Sequence, residues 1–334
     1  MSAPDRRQLE KTFRARDVVV TGGMGFIGSN LVLRLVDLGA RVTVIDAFVP
    51  DHGANPHNVS PVADRIQVIR AFIDEPACFP ALETASIVFD VAGQVSHIDS
   101  MTDPAKDLKC NYTTHLGMME FLRRSNPKAR IVHTSTRQIY GRALFLPVTE
   151  DHPVRPVDMN GIHKAACESM NTIYARVHGM DAVSLRLTNT YGPRQLLRHD
   201  RQGFISVFMK RAMLGQKINV FGTGQQLRDM NYVDDVVDAL ILVAAVPDTR
   251  GNVYNLGSEQ AVSLRQIVES LRGICSFEVE VVPFPAERAS IDIGDFHSDY
   301  SAIQGVTSWK PRVSLAEGLL RSIEFFRSNW DHYA

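Results

Sequence analysis

Val18-Val19-Val20-Thr21-Gly22-Gly23-Met24-Gly25-Phe26-Ile27-Gly28 decides the reading of the fold. A short run of β-branched residues ends in a glycine cluster. A helix-like segment follows, Asn30 to Leu38, with apolar residues at 31, 32, 35, 36 and 38 and Gly39 placed as the residue after its C-cap. Glycines at 22, 25 and 28 in a strand–turn–helix context have a mechanism. Gly22 permits the tight turn, Gly25 lets the backbone approach a pyrophosphate, and Gly28 lets the helix pack close to the strand. The unpaired N–H groups of the first helical turn, at Phe26 and Ile27, and the positive end of the helix dipole then hold the phosphates. Asp46 stands 18 residues beyond Gly28, at the end of the next β-branched run, Arg41 to Ile45. A carboxylate there accepts hydrogen bonds from the adenosine ribose hydroxyls and repels a 2′-phosphate, so NAD is expected rather than NADP.

Working outward, strand-like runs recur at Ile66 to Ile69, Ser86 to Ala92, Arg130 to Thr134 and Ala182 to Thr188. Helix-like stretches lie between several of them, notably Lys109 to Arg124 and Gly161 to His178. Buried strands alternating with helices imply crossover connections and a parallel sheet covered on both faces, a doubly wound α/β (Rossmann) domain. Residues 47–64 form a long loop rich in Pro, Asn, His and Gly, a kind of segment that is often functional or mobile. Beyond residue 190 turn signals crowd together, at Tyr191-Gly192-Pro193, Gly222-Thr223-Gly224 and Pro283-Phe284-Pro285, which suggests a smaller α+β lobe.

The 334 residues carry 36 basic and 37 acidic side chains, a formal charge of −1 that argues against a nucleic-acid partner. Hydrophobic residues make up 45%, enough for an ordinary core. Cys78, Cys110, Cys167 and Cys275 have neither zinc nor redox spacing, so reduced thiols in the cytoplasm are expected. The first 17 residues have no apolar run of the signal-peptide kind and read as a solvated arm. Val236 to Val246 is too short for a membrane span and reads as a buried helix.

Further blocks lie in order along the chain. They are Thr134-Ser135-Thr136-Arg137-Gln138-Ile139-Tyr140-Gly141, Arg186-Leu187-Thr188-Asn189-Thr190-Tyr191-Gly192-Pro193-Arg194, Gly222 to Asp229 with Tyr232-Val233-Asp234-Asp235, Pro285-Ala286-Glu287-Arg288, and Trp309-Lys310-Pro311. Together with the Gly-Gly-x-Gly-x-x-Gly turn they resemble the extended short-chain dehydrogenase/reductases, the UDP-glucose 4-epimerase-like family of NAD-dependent nucleotide-sugar epimerases and dehydratases. The match runs from about Asp17 to about Phe326. The resemblance implies a Rossmann domain over 1–186 and a nucleotide-sugar-binding domain over 187–334, with parts of 230–256 packed back on the first. It implies that Thr136 meets the sugar oxygen being oxidised and that Lys164 holds the nicotinamide ribose. Ile73, Ala92 and Gly93 would line the cofactor. Asn189, Arg228 and Arg288 would meet the substrate diphosphate, for which arginine's planar fork is suited, and Arg194, Arg198, His199 and Arg201 would add a basic loop able to close over the substrate. A homodimer built on helices 109–124 and 161–178 is implied as well.

The sequence departs from the pattern at one decisive place. The family's catalytic tyrosine lies four residues before the lysine, and here that position is Asn160, in Asp158-Met159-Asn160-Gly161-Ile162-His163-Lys164. An amide can orient or hydrogen-bond but cannot take a proton at neutral pH. Another group would supply the base (His163, Tyr140, His97 or a water relayed by Asn160), or the redox chemistry is slower or different, or the chain binds without catalysis. A second departure is Arg137-Gln138, where the family's 4,6-dehydratases carry an Asp-Glu pair. Without those carboxyl groups dehydration lacks its acid and base, whereas epimerisation at C4 through a transient 4-keto sugar needs neither. Arg137 would suit an anionic substituent on the sugar. The expected function is therefore an NAD-dependent nucleotide-sugar epimerase. The alternatives are a 4-dehydrogenase, an atypical dehydratase or a non-catalytic binding protein. At the adenine end, Phe72 occupies the position of a family aspartate, leaving stacking, the Ile73 backbone or Asp74 to meet the base.

Overall fold

The computed structural model describes residues 6–198, 203–284 and 292–334. The first half runs α1 (Arg6–Phe13), β1 (Asp17–Thr21), α2 (Phe26–Asp37), β2 (Arg41–Ile45), β3 (Ile66–Ile69), α3 (Phe79–Thr84) and β4 (Ile87–Asp90). It continues with α4 (His97–Thr102), α5 (Pro104–Leu108), α6 (Thr114–Ser125), β5 (Arg130–Thr136), α7 (Met159–His178) and β6 (Asp181–Leu187). The second half contributes β7 (Asn189–Tyr191), α8 (Phe204–Met213), β8 (Ile218–Phe221), β9 (Leu227–Arg228), β10 (Met230–Tyr232), α9 (Val233–Ala245) and β11 (Val253–Asn255). After these come β12 (Val262–Ser263), α10 (Leu264–Arg272), β13 (Val279–Val282), α11 (Ser301–Thr307), α12 (Leu315–Ser328) and α13 (Trp330–Tyr333).

Seven strands form one parallel sheet in the order β11-β6-β5-β4-β1-β2-β3. The Val18-Val19-Val20 run is continuous because both faces are covered. Val18 and Val20 point into the larger core, with Leu31 and Leu35 of α2 and Val236 and Leu240 of α9. Val19 points to the other face, with Met118, Met119 and Leu122 of α6 and Met170 of α7. The chain leaves β1 toward β2 and β3 on one side, then crosses to β4 on the other. In register, Thr21 pairs with Ile45 and with Asp90, and Asp90 with His133. The carboxyl ends of β1, β2, β4 and β5 thus open together at the switch point, where sheets of this kind bind ligands. The second half packs short strand pairs, β8 with β13, β7 with β10 and β9 with β12, beside α8, α10 and α12. Its β11 and α9 return to the large sheet.

Three segments differ from the sequence expectation. The amino-terminal arm is a helix anchored by Phe13, which is fully buried. The loop after β2 is pinned rather than loose. Asn58 donates to the Met24 carbonyl at 2.8 Å and accepts from the Tyr333 hydroxyl, tying the glycine turn to the carboxyl end of the chain. The helix expected from Lys109 starts as a wide π-type turn, Lys109–Thr113, before α6. No helix among the described residues is long and apolar enough to cross a membrane. Because Phe13 sits wholly inside the core, Phe13→Ala is expected to lower the unfolding free energy by about 3–4 kcal/mol in urea titrations, where an arm residue would change it by a few tenths.

Candidate active site

A cleft of about 620 Å³ opens at the carboxyl ends of the strands, walled by the glycine turn on one side and by α8 and β8–β9 on the other. Gly22 has φ +63°, and a Cβ there would stand 2.9 Å from the Ala92 Cα. A Cβ on Gly28 would stand 2.2 Å from the Gly22 carbonyl oxygen, so only glycine lets α2 start this close to β1. Gly25 is the N-cap of α2, and the first-turn N–H groups at Phe26, Ile27 and Gly28 have no partner within the helix. That is a phosphate cradle, and all four residues line the cleft. Asp46 lines it too, at the end of β2. Its carboxylate accepts from the Met24 N–H at 3.0 Å and the Phe48 N–H at 2.9 Å, which fixes it beside the glycine turn. Burial raises the Asp46 carboxyl above its ordinary value against those two bonds. At the adenine end Phe72 and Ile73 line the cleft, whereas Asp74 is taken by Lys109 at 2.7 Å. Ala92 and Gly93 form the opposite edge, and a Cβ on Gly93 would fall 2.5 Å from Asn111 Oδ1 and 3.2 Å from Lys164 Nζ. These surroundings fit a dinucleotide.

Beneath the cradle lies a cluster the sequence reading missed. Asp90 accepts from the Thr21 hydroxyl at 2.8 Å on one oxygen, and its other oxygen lies 2.7 Å from His115 Nδ1 and 3.1 Å from His133 Nδ1. The Thr21 hydroxyl accepts in turn from the N–H groups of Val91 and Ala92. Burial alone would raise the Asp90 carboxyl, but the bonds from His115 and His133 hold it well below the usual carboxylate range. Burial, with Lys164 and His115 nearby, pushes His133 down to about 3. No spacing in the sequence signals this group, because its members come from β1, β4, α6 and β5.

At the reacting end Thr136, Asn160 and Lys164 all line the cleft. Lys164 Nζ donates to the Thr134 carbonyl at 2.9 Å, and Thr136 Oγ1 accepts from the Gln138 N–H at 3.2 Å. Asn160 Nδ2 donates to the Gln94 carbonyl at 2.7 Å, which leaves its Oδ1 free of partners among the described residues. Two candidate bases are elsewhere. His163 is buried with Nδ1 2.5 Å from Asp107 Oδ1 and does not line the cleft, so its assignment to catalysis is corrected to a support role beside Asp107. Tyr140 donates to Asn255 Oδ1 at 2.7 Å against the Arg186–Glu168 ion pair, and burial pushes it up to about 12. His97 does line the cleft.

On the substrate side Asn189, Arg137 and Arg228 face the cleft. Arg137 Nη2 donates to Asn189 Oδ1 at 3.0 Å while its Nη1 is buried with no partner among the described residues. Burial, with Arg228 nearby, lowers the Arg137 guanidinium to about 10. Arg228 donates to the Leu227 and Gly294 carbonyls and lies 3.3 Å from Asp292. Arg194 was expected to bind substrate from the basic loop and is corrected. It has φ +72°, donates to the Asn58 carbonyl and to Asn30 Oδ1, and lies over Phe325, outside the cleft lining. It is a strut between α2 and the carboxyl-terminal helices. Arg288, His199 and Arg201 lie outside the described residues, and Arg198 is exposed.

The model of the NAD dependent epimerase/dehydratase family matches residues 18–257, and the chain belongs to that family. Within it, the chain is 30% identical over 313 residues to a UDP-glucose 4-epimerase of Mycolicibacterium smegmatis, covering 93% of this chain and 98% of that protein. It is similar to a UDP-glucose 4-epimerase of Thermotoga maritima solved with UDP-glucose, with a TM-score of 0.85, 28% identity, and 94% of this chain and 99% of that one covered. It is also similar to a UDP-glucose 4-epimerase of Thermus thermophilus solved with NAD, with a TM-score of 0.80, 27% identity, and 93% and 98% covered. NAD is the cofactor.

Two expectations follow from this geometry. Asp46→Ser removes the carboxylate that would oppose a 2′-phosphate, so the ratio of NADP to NAD dissociation constants should fall at least tenfold in calorimetric titrations. His133 binds its proton far more weakly folded than unfolded, so the unfolded state binds more protons between about pH 6.5 and 3 and stability falls as the pH drops through that window. The contribution is about 1.4 kcal/mol per pH unit. Urea unfolding between pH 7 and 5 should show a shallower slope for His133→Asn.

Proposed function

We propose that the chain is a nucleotide-sugar epimerase acting at C4 of the sugar through a transient 4-keto form. The observation that carries this reading is the meeting of Thr136 and Lys164 with the dinucleotide cradle in one cleft. Arg137 and Gln138 stand there in place of a carboxyl pair, so those two positions supply no carboxyl acid and base for removing water. When bound, NAD supplies a reversible hydride acceptor. Thr136 Oγ1 is placed to hydrogen-bond the sugar oxygen, and Lys164, anchored on the Thr134 carbonyl, holds its charge beside the nicotinamide ribose. The substrate is a nucleoside diphosphate sugar. Its charges are met by Arg228 and Asn189, with Arg288 in the same role by its place in the motif. Arg137, unpartnered at Nη1, reads an acceptor on the sugar.

The residues up to 186 form the cofactor unit and those from 187 the substrate unit, with α9 and β11 returned to the first. Assembly as a homodimer uses the outer face of α7, where Ile162, Ile173 and Val177 are exposed. On the two helices expected at the interface, Met118, Met119, Leu122 and Met170 are instead buried within the chain's own core. The free state of all four cysteines fits a cytoplasmic enzyme.

Incubation of the NAD-loaded protein with a panel of nucleotide sugars in deuterated water tests the reading. A C4 epimer of unchanged mass, without deuterium on carbon and without net reduction of cofactor, is the expected product. A product that has lost water with deuterium gained, or stoichiometric accumulation of reduced cofactor, would replace the epimerase assignment with dehydratase or dehydrogenase.

A further inference from the structure

Thr136 and Lys164 are in place, but the residue that should exchange a proton with the sugar hydroxyl is an amide. The groups available near the cleft sort themselves by geometry. His163 is turned beneath it onto Asp107, and Tyr140 is locked into the Asn255–Arg186 network. His97 is different on every count. It is the first residue of α4, it lines the cleft with Asn160 and Lys164, and its side chain is 36% exposed. Its Nδ1 lies 2.9 Å from Asp158 Oδ2, a carboxylate whose side chain is wholly buried, at ion-pair distance but out of line for a hydrogen bond. Its Nε2 has no partner among the described residues.

Asp158 is built to hold that ring. It is the N-cap of α7, with Oδ1 accepting from the Gly161 N–H at 2.7 Å and Oδ2 accepting from Gln138 Nε2 at 3.0 Å. Burial would raise its pKa, but the contact with His97 and the N–H of Gly161 outweigh it and hold the carboxyl below its ordinary value. It therefore stays ionised, and a negative charge 2.9 Å from Nδ1 favours the tautomer protonated there, which leaves Nε2 free to accept a proton. This is the logic by which a carboxylate-held histidine serves as base in other enzymes.

Asn160 completes the arrangement. Its Nδ2 donates to the Gln94 carbonyl, and Gln94 Nε2 donates at 2.8 Å to the Ser96 carbonyl. Ser96 caps α4 by accepting from the Asp99 N–H at 3.1 Å. The amide on α7 thus clamps the segment that delivers His97 into the cleft.

We propose that the His97–Asp158 pair is the proton-transfer group of this enzyme, standing in for the absent tyrosine, and that Asn160 is its positioning residue. The inference rests on the epimerase reading above. In the oxidative half the sugar O–H bond breaks and its proton passes to His97 Nε2. The C4–H bond breaks with its electron pair leaving as hydride to the oxidised nicotinamide, and the carbonyl forms. In the return half the hydride is delivered to the other face of that carbonyl, Nε2 gives its proton back to the oxygen, and no external oxidant is consumed.

The test compares the wild-type holoenzyme with His97→Gln, His97→Gly, Asp158→Asn and Asn160→Tyr on the nucleotide sugar that the panel identifies. His97→Gln should lose at least about 100-fold in kcat, with the dissociation constants of NAD and of the nucleotide sugar, measured by calorimetry, within about threefold of wild type. Added imidazole should restore turnover to His97→Gly and not to wild type. Nitrogen-15 NMR of the ring should show His97 protonated on Nδ1 in the wild type, and a mixed tautomer in Asp158→Asn. Asn160→Tyr should lower turnover, because the clamp on Gln94 is lost. Full activity in both His97 variants, or a gain in Asn160→Tyr, would overturn the dyad and leave the epimerase reading intact. A wild-type protein that binds the sugars and turns none over would overturn both.

Discussion

A carboxylate buried at the end of β4 is the constraint from which the cofactor crevice follows. Asp90 is held by a hydroxyl from β1 and by two imidazoles, from α6 and β5, so four elements converge on one charge. Removing a partner from such a group leaves an uncompensated charge in the interior, at a cost of about 3–5 kcal/mol. The converging elements are therefore held in register. The same Thr21 hydroxyl that donates to Asp90 accepts the N–H groups of Val91 and Ala92, which brings the β4 loop against the glycine turn. That approach is why a side chain at Gly22 would meet Ala92. The phosphate cradle and the nicotinamide edge are in this sense one object, stitched through a carboxylate that touches neither ligand position.

How much of this could be read in advance depended on distance along the chain. The glycine turn, Asp46, Thr136, Asn160 and Lys164 sit in short local patterns whose meaning is set by neighbours a few residues away. Sheet class and strand positions were legible for the same reason, since periodicity is local. The Asp90 cluster joins Thr21, Asp90, His115 and His133, and nothing in their spacing marks them as partners. Arg194 failed in the opposite direction. Its place in a basic run suggested a loop residue over the substrate, but a positive φ and bonds to Asn30 and Asn58 turn it into a strut. The amino-terminal arm was misread because one buried aromatic, Phe13, carries its attachment, and a single residue gives no periodicity.

The choice among histidines shows what side-chain geometry adds. His163 is adjacent in sequence to Lys164, which made it the natural candidate, yet adjacent residues on a helix point about 100° apart. Lys164 reaches the cleft, so His163 does not. His97 has no motif around it and lies far from the lysine in sequence. The sequence offered it only as one of several candidate bases, and the packing of α4 on α7 is what singles it out.

Asp158 explains why moving the acid–base group off α7 is compatible with the fold. An N-cap carboxylate already satisfies a backbone N–H and sits at the positive end of the helix dipole, which stabilises its charge. One oxygen serves the helix and the other is shared by the Gln138 amide and His97, so the helix that starts beneath the cleft carries an ionised, rigid acceptor at no extra structural demand. An imidazole placed against it gains orientation from an element whose position is fixed by the sheet. A phenol on the first turn of α7 would need a nearby cation to become a base near neutrality, whereas an imidazole starts in the right range and needs only to be held. With Lys164 engaged by the Thr134 carbonyl, the arrangement divides the work: the lysine keeps its hold on the cofactor side, and the proton is handled by a residue the helix positions but does not contain.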